Sequence, residues 1–326
     1  MLIDTLNREI NYLRISVTDR CMLNCIYCMA DAGIEQKEIL SITEILRSAE
    51  ILVQLGIKKI RITGGEPLLR EDIVELVTAI KQIEGIEGVY LTTNGILLKN
   101  YIDKVKSSKT ALLPHGINIS IDALSNKNYE LIKDVKNVKP LEISTIIDML
   151  LKENVSVKIN CVALRGINEE ELIPIASIAK DRDVYVRFIE LMPLGPAVNY
   201  TYIKGEEITS LLCEKFGALT PCTDPANRIS GPALYYNVPG FTGKVGFINP
   251  LSHKFCNKCN RLRLNSRGFL LKCLSSNEEL DLNFMLKYNM KKEDIFSAIK
   301  NFVFSKAAHH TFLNEKHSIG MYKIGG

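Results

Sequence analysis

YLRISVTDRCMLNCIYC, residues 12–28, decides how this chain is read. Leu13, Ile15 and Val17 alternate with Arg14 and Ser16, the two-residue period of a strand. Cys21, Cys25 and Cys28 follow at once, on the loop that leaves the C-terminal end of that strand. In a parallel barrel this end carries the active-site loops. Three thiolates on one short loop can meet one face of an iron–sulfur cubane. A [4Fe–4S] cluster normally takes four cysteines, so three would leave one iron open to another ligand. The plainer alternatives are inert buried cysteines or zinc, but zinc prefers four ligands arranged as two pairs and no fourth lies nearby.

The strand-then-loop pattern repeats outward from this segment. Short β-rich runs at 13–17, 59–63, 89–92, 116–121, 155–162 and 184–189 alternate with amphipathic stretches at 42–55, 72–83, 141–152 and 169–180. That alternation predicts an α/β fold with a parallel sheet and crossover helices. A doubly wound sheet or part of a (β/α) barrel would fit. A full eight-unit barrel takes roughly 250 residues, and the pattern stops near residue 190. The expectation is therefore a partial (β/α)6 barrel over residues 1–192. Beyond it, Pro193, Pro196, Pro221, Pro225, Pro232 and Pro239 punctuate short segments. A helix at 206–216, strands at 234–238 and 244–248, and a helix pair at 285–304 predict a smaller C-terminal α+β unit over 193–326.

Composition narrows the function classes. With 46% hydrophobic and 24% charged residues, the chain is too apolar for disorder. No window of about 18 apolar residues exists, so no membrane span is expected. The opening MLIDTLNREINYLR has acids and amides where an export signal needs apolar residues, so a cytoplasmic protein is expected. A net charge of +4 is too mild to argue for nucleic acid. The nine cysteines are the unusual feature. In a reducing compartment clustered cysteines bind metal or react rather than pair. Six fall in two groups, the second being Cys256, Cys259 and Cys273.

The first triplet, with Tyr27 before its last cysteine, resembles the radical S-adenosylmethionine (SAM) superfamily. That resemblance implies an open iron that binds SAM, and a reduced cluster that cleaves it to a 5'-deoxyadenosyl radical. Gly64-Gly65-Glu66-Pro67 ends the second strand, where the superfamily's glycine-rich segment holds the SAM amino group. Close approach of a ligand to the backbone is a physical reason for paired glycines there. The second triplet alone would suit zinc nearly as well as iron–sulfur. Arg261 and Arg263 follow Cys259 at a period of two, so both face one side of a strand. Together they are similar to the CxxCxRxR…C pattern of the GTP 3',8-cyclase family of molybdenum cofactor biosynthesis. The resemblance extends through residues 12–21, 58–70, 91–95, 117–124 and 187–195 to Ile324, Gly325 and Gly326.

This resemblance implies a set of sites. Cys21, Cys25 and Cys28 would hold the SAM-cleaving [4Fe–4S] cluster, and Cys256, Cys259 and Cys273 an auxiliary one whose open iron binds guanine. Tyr27, Gly65, Ser120 and Met192 would contact SAM. Arg14, Arg61, Thr92, Lys158, Arg261, Leu262 and Arg263 would hold GTP, and Arg14 with the terminal Gly325 and Gly326 would serve catalysis. Charge logic supports the anionic ligand independently. Arg14, Arg61, Lys158 and Arg187 lie in or beside successive strands, and burying that many cations without a partner is costly. The bland alternative pairs them with acids at the barrel rim. The implied partners are GTP, an electron donor and a downstream pyranopterin monophosphate synthase, with no nucleic acid or membrane. Three departures stand out: Asn7 replaces the family's usual glycine, Ala30 its usual proline, and the segment from Asp31 to Leu40 is shorter than usual. Two rivals remain: a radical SAM peptide-modifying enzyme with an auxiliary cluster, and a non-catalytic Fe–S or zinc electron-transfer or binding module. The second predicts a fourth ligand for each cluster. Cys161, Cys213 and Cys222 match no ligand position; Cys161 and Cys213 read as core.

Overall fold

Alternation along each strand sorts this chain into an apolar and a polar face, and the fold follows. The structure is a computed structural model and describes residues 1–28, 38–134, 143–222 and 231–312. Six strands, β1 (Tyr12–Ser16), β2 (Lys59–Thr63), β3 (Gly88–Thr93), β4 (Gly116–Ser120), β5 (Ser156–Val162) and β6 (Tyr185–Ile189), pair in parallel in their order of sequence. The crossovers are α1 (Ile42–Gln54), α2 (Ile73–Lys81), α3 (Leu98–Ser107), α4 (Asn126–Lys133), α5 (Ile143–Lys152) and α6 (Leu172–Ser177). A doubly wound sheet reverses its strand order at a switch point; this one does not, which selects the partial barrel. Leu13, Ile15, Ile60, Ile62, Leu91, Ile117, Ile119, Val157, Ile159 and Val186 form the helix-covered face, all fully buried.

Local chemistry sets the helix ends. Ser41 and Glu44 form a reciprocal capping box at the start of α1, with the Glu44 amide donating to Ser41 Oγ at 3.3 Å and the Ser41 amide to Glu44 Oε2 at 2.8 Å. Ser125 caps α4, which stops at Asp134 in the left-handed conformation (φ 50°). Asn7 also has a positive φ, 58°, so the family's glycine is replaced by a residue that tolerates this backbone. The stretch read as one helix at 169–180 is a 3-10 turn at Glu169–Glu171 followed by the short α6.

The C-terminal part differs from expectation in how it attaches. It comprises α7 (Gly205–Phe216), β7 (Thr220–Pro221), β8 (Leu234–Asn237), β9 (Lys244–Ile248), β10 (Arg261–Leu264), β11 (Phe269–Leu271), β12 (Glu279–Asp281), α8 (Leu282–Lys287) and α9 (Lys292–Phe304). Among the described residues it has no sheet of its own. β9 pairs in parallel with β6 and β10 in parallel with β1, giving the order β12-β11-β10-β1-β2-β3-β4-β5-β6-β9-β8-β7. An open six-stranded sheet leaves two rows of unpaired backbone groups at its edges, and the C-terminal strands satisfy both. This brings the second cysteine triplet beside β1. Among the described residues no helix is long and apolar enough to cross a membrane.

Candidate active site

The other face of the strands is polar and concave. Arg14, Arg61, Thr92, Asn118, Ser120, Asn160, Arg187 and Arg263 sit at alternate positions on seven neighbouring strands, and all line one cavity of about 310 Å³. Both cysteine triplets open onto the same cavity. It holds no seventh cysteine among its described lining residues, and Cys161 lies fully buried on the opposite face. Cys213 on α7 is half-buried.

Cys21, Cys25 and Cys28 are half-buried thiols on the loop after β1, none of them in a disulfide. The loop is tied down at several points. The Asn24 amide donates to Lys133 O at 3.2 Å and the Ile26 amide to Ile132 O at 3.0 Å, both carbonyls at the end of α4. The Cys28 amide donates to Cys25 O at 2.8 Å. Burial pushes the Cys21 thiol up to about 11, and raises Cys25 despite the neighbouring Lys133 ammonium. Among the described residues no three His, Cys, Asp or Glu side chains converge on a single ion. A cubane spreads its ligands over separate irons, so the thiols need only face it together. Three thiols on one fixed loop, opening on a polar cavity, fit that group.

The residues expected to contact SAM gather around this loop. Gly65, Ser120, Met192 and Tyr27 all line the cavity. The paired glycines also have a steric reason. A Cβ on Gly64 would stand 2.5 Å from Thr18 O, and one on Gly65 only 2.3 Å from Arg20 O. Their missing side chains therefore make room for the chain entering Cys21. The Gly65 amide donates to Thr18 O at 2.8 Å and the Glu66 amide to Arg20 O at 2.7 Å. Glu66 is itself fully buried, accepting from Thr93 Oγ1 and the Asn94 amide at 2.7 Å each and from the Leu68 amide at 3.0 Å. Burial pushes its carboxyl up to about 7 despite those bonds.

The cations lie toward β10. In register, Arg263 stands opposite Arg14 and Arg14 opposite Arg61, so three guanidiniums occupy one row of three strands. Arg61 bonds neutral partners, Tyr12 Oη at 2.5 Å and Thr92 Oγ1 at 3.3 Å. Burial and then Arg263 hold Arg14 well below the usual guanidinium range, while burial and then Arg261 push Arg263 down to about 10. Nε and Nη2 of Arg187 are buried with no hydrogen-bond partner among the described residues. Salt bridges to rim acids thus do not account for Arg61. Leu262 points the other way and is fully buried. Lys158 is placed differently from the rest. It is buried on β5 with its ammonium over the Tyr185 ring, 5.6 Å from the centroid, and is not among the cavity-lining residues.

The second triplet flanks β10 and β11. Burial raises the Cys259 thiol, but Arg261 and Lys306 outweigh it and bring it to about 7. Arg8 Nη1 donates to Cys256 O at 2.6 Å, and Lys306 Nζ to Arg261 O at 3.1 Å. Gly325, Gly326 and Ala30 lie outside the described residues.

The comparisons with known proteins agree with this arrangement. The family model described as "Radical SAM superfamily" matches residues 15–179, and "Molybdenum Cofactor Synthesis C" matches residues 184–312. The GTP 3',8-cyclase of Alkaliphilus oremlandii (strain OhILAs) is 40% identical over 334 residues, with 99% of each chain covered. That of Clostridium perfringens (strain 13 / Type A) is 37% identical over 329 residues, again with 99% of each covered. This chain belongs to the GTP 3',8-cyclase family of radical SAM proteins. "Molybdenum cofactor biosynthesis protein 1" of Dictyostelium discoideum is 35% identical over 99% of this chain and 50% of its own length. Among solved structures, Streptococcus suis SuiB bound to S-adenosylmethionine superposes with a TM-score of 0.57 at 17% identity, covering 90% of this chain and 68% of that one. At that identity the likeness is one of fold.

In this member of the cyclase family, sequence reasoning missed several cavity residues. Asp122 had a signal, since it lies two positions beyond Ser120 on the same face of β4. Lys133 had none, because it is more than a hundred residues from the triplet it serves. His310, assigned no role from the sequence, lines the cavity with its Nε2 2.8 Å from Pro250 O.

Proposed function

We infer that this chain is a radical SAM enzyme that converts GTP to (8S)-3',8-cyclo-7,8-dihydroguanosine 5'-triphosphate, an early step of molybdenum cofactor biosynthesis. The observation that carries the reading is the single cavity in which two cysteine triplets face a row of guanidiniums. With SAM, a [4Fe–4S] cluster on Cys21, Cys25 and Cys28 supplies a 5'-deoxyadenosyl radical that takes the 3'-hydrogen of the GTP ribose. The protein's part is positioning. Tyr27, Gly65, Ser120 and Met192 hold SAM at the first triplet. Arg14, Arg61, Arg261 and Arg263 grip the triphosphate as fork-shaped donors, Thr92 steadies Arg61 and the ribose, and Lys158 adds positive charge from behind Tyr185. Cys256, Cys259 and Cys273 would hold a second [4Fe–4S] cluster, which would supply a binding point for the guanine base. A Cys259 thiol already near neutral and three half-buried free thiols support that assignment. Gly325 and Gly326 serve catalysis together with Arg14. An external electron donor and a downstream pyranopterin monophosphate synthase complete the reading, and cysteine clusters of this kind support a reducing compartment such as the cytoplasm.

The test is anaerobic production of 5'-deoxyadenosine by iron-reconstituted protein with SAM and reductant, followed by mass spectrometry. Stimulation by GTP and not ATP, with deuterium from 3'-labelled GTP appearing in the deoxyadenosine, is the expected result. Cleavage indifferent to nucleotide would overturn the cyclase reading and keep the radical chemistry. No cleavage would leave a binding module.

A further inference from the structure

Lys133 is a buried cation beside the first triplet, and neither the triplet motif nor the nucleotide site explains it. It ends α4 with 2% of its surface exposed. Its ammonium donates to Asp122 Oδ2 at 2.6 Å, and its positive charge acts on the neighbouring Cys25 thiol, which shares the cavity lining with it. Asp122, 1% exposed, is saturated: Oδ2 also accepts the Tyr27 hydroxyl at 2.7 Å, and Oδ1 accepts the Val162 amide at 2.9 Å. The cysteine loop is thereby held against one buried ion pair: the Tyr27 hydroxyl bonds its carboxylate, and Cys25 lies in the field of its ammonium. The carbonyls of Ile132 and Lys133 hold the same loop through its backbone. Breaking a buried pair by removing one partner is strongly unfavourable, so the pair is a rigid anchor.

We propose that the Lys133–Asp122 pair is a positioning device that fixes the Cys25–Tyr27 segment and, through the buried ammonium charge beside that segment, sets the reduction potential of the cluster held there. The inference rests on the reading of Cys21, Cys25 and Cys28 as cluster ligands. Hydrogen bonds to ligating sulfurs and nearby charge are among the determinants of such potentials. A buried cation beside the cluster favours its reduced, more negative state. Removing the ammonium therefore lowers the potential, and removing the carboxylate, which leaves the ammonium uncompensated, raises it. A purely structural role would loosen both variants alike and would not give shifts of opposite sign.

The experiment is an EPR-monitored redox titration of the first cluster in the reconstituted full chain, compared with K133Q, K133R and D122N. At a fixed poise the reduced-to-oxidised ratio is expected to fall about tenfold in K133Q, about 59 mV for a one-electron couple, to rise in D122N, and to stay near the parent's in K133R. In the metal-free proteins, amide exchange at Asn24 and Ile26 is expected to accelerate in K133Q. Shifts of the same sign in K133Q and D122N, or no shift with full iron, would overturn the proposal. If K133Q takes up no cluster, D122N alone decides. A parent protein with no iron at this triplet would instead overturn the reading of the site.

Discussion

Replacing Gly65 by alanine tests whether the paired glycines exist to admit the cysteine loop. The added Cβ would lie 2.3 Å from Arg20 O and 2.8 Å from Asp19 O, where ordinary contact begins at 3.4 Å. The obstacle is backbone, which cannot rotate aside, so the segment entering Cys21 has to retreat by roughly 1 Å. Overpacking of this kind costs about 1–3 kcal/mol. The retreat also stretches the bonds from Gly65 N to Thr18 O and from Glu66 N to Arg20 O, each about 0.5–1.5 kcal/mol. The lower entropy of an unfolded alanine chain returns about 0.4–1 kcal/mol. The net expectation is a loss of about 2–4 kcal/mol, read as a lower urea midpoint at unchanged slope in the metal-free protein. Because Arg20 adjoins Cys21, iron uptake at the first triplet should fall while the second triplet is untouched. A G65A protein with the parent's midpoint and full iron would refute the steric argument and return the glycines to a ligand-facing role.

Three further outcomes follow from the charges. Tripolyphosphate should stabilise the metal-free protein by about 2.7 kcal/mol at a hundredfold excess over its dissociation constant; R263M should raise the melting temperature of the free protein and shrink that gain. Glu66 has a raised carboxyl, about 7 against 4.5, so the folded state binds the extra proton. Stability from this group is therefore greatest below pH 4.5 and falls as pH rises to 7, by up to about 3 kcal/mol; urea midpoints should show that slope in the parent and lack it in E66Q. In metal-free protein at pH 7, Cys259 (about 7) should be alkylated roughly a hundredfold faster than Cys21 (about 11), after allowing for the weaker nucleophilicity of the more acidic thiol. Peptide mapping after timed iodoacetamide pulses checks this, and equal rates would refute the assigned electrostatics.

How much of this was legible in the sequence depends on the range of the interaction. The six parallel strands were readable because each alternates over five to seven residues, as Leu13/Arg14/Ile15 does, and alternation is a local signal. The cysteine triplets and the Arg261–Arg263 spacing were readable for the same reason. The attachment of the C-terminal strands was not, since β9 and β10 look like ordinary short strands and only the unpaired edges at β6 and β1 decide where they go. Helices α3 and α4 were not singled out. α4 carries Lys133, whose importance arises only when its end meets Asn24 and Ile26. Gly65 was found by its motif, but its steric role was not legible, because the backbone it accommodates is more than forty residues away.

The register of β10 on β1 ties these observations together. It sets Arg263 beside Arg14, with Arg61 one strand further, although like charges directly opposite one another destabilise a sheet. A slip of one residue would turn Arg261 and Arg263 toward the helices and Leu262 toward the cavity; the full burial of Leu262 and Leu264 under the helical layer prevents it. Apolar packing on one face thus enforces cation crowding on the other. Such crowding is tolerable when an anion of several charges arrives to lie along the row, and the edge strand should then be held more firmly than in the free protein. The site and the sheet edge are consequently one thermodynamic unit: polyphosphate binding and protection of the β10 amides rise together, and a triphosphate that bound without slowing exchange in β10 would show that the guanidinium row is not where it binds.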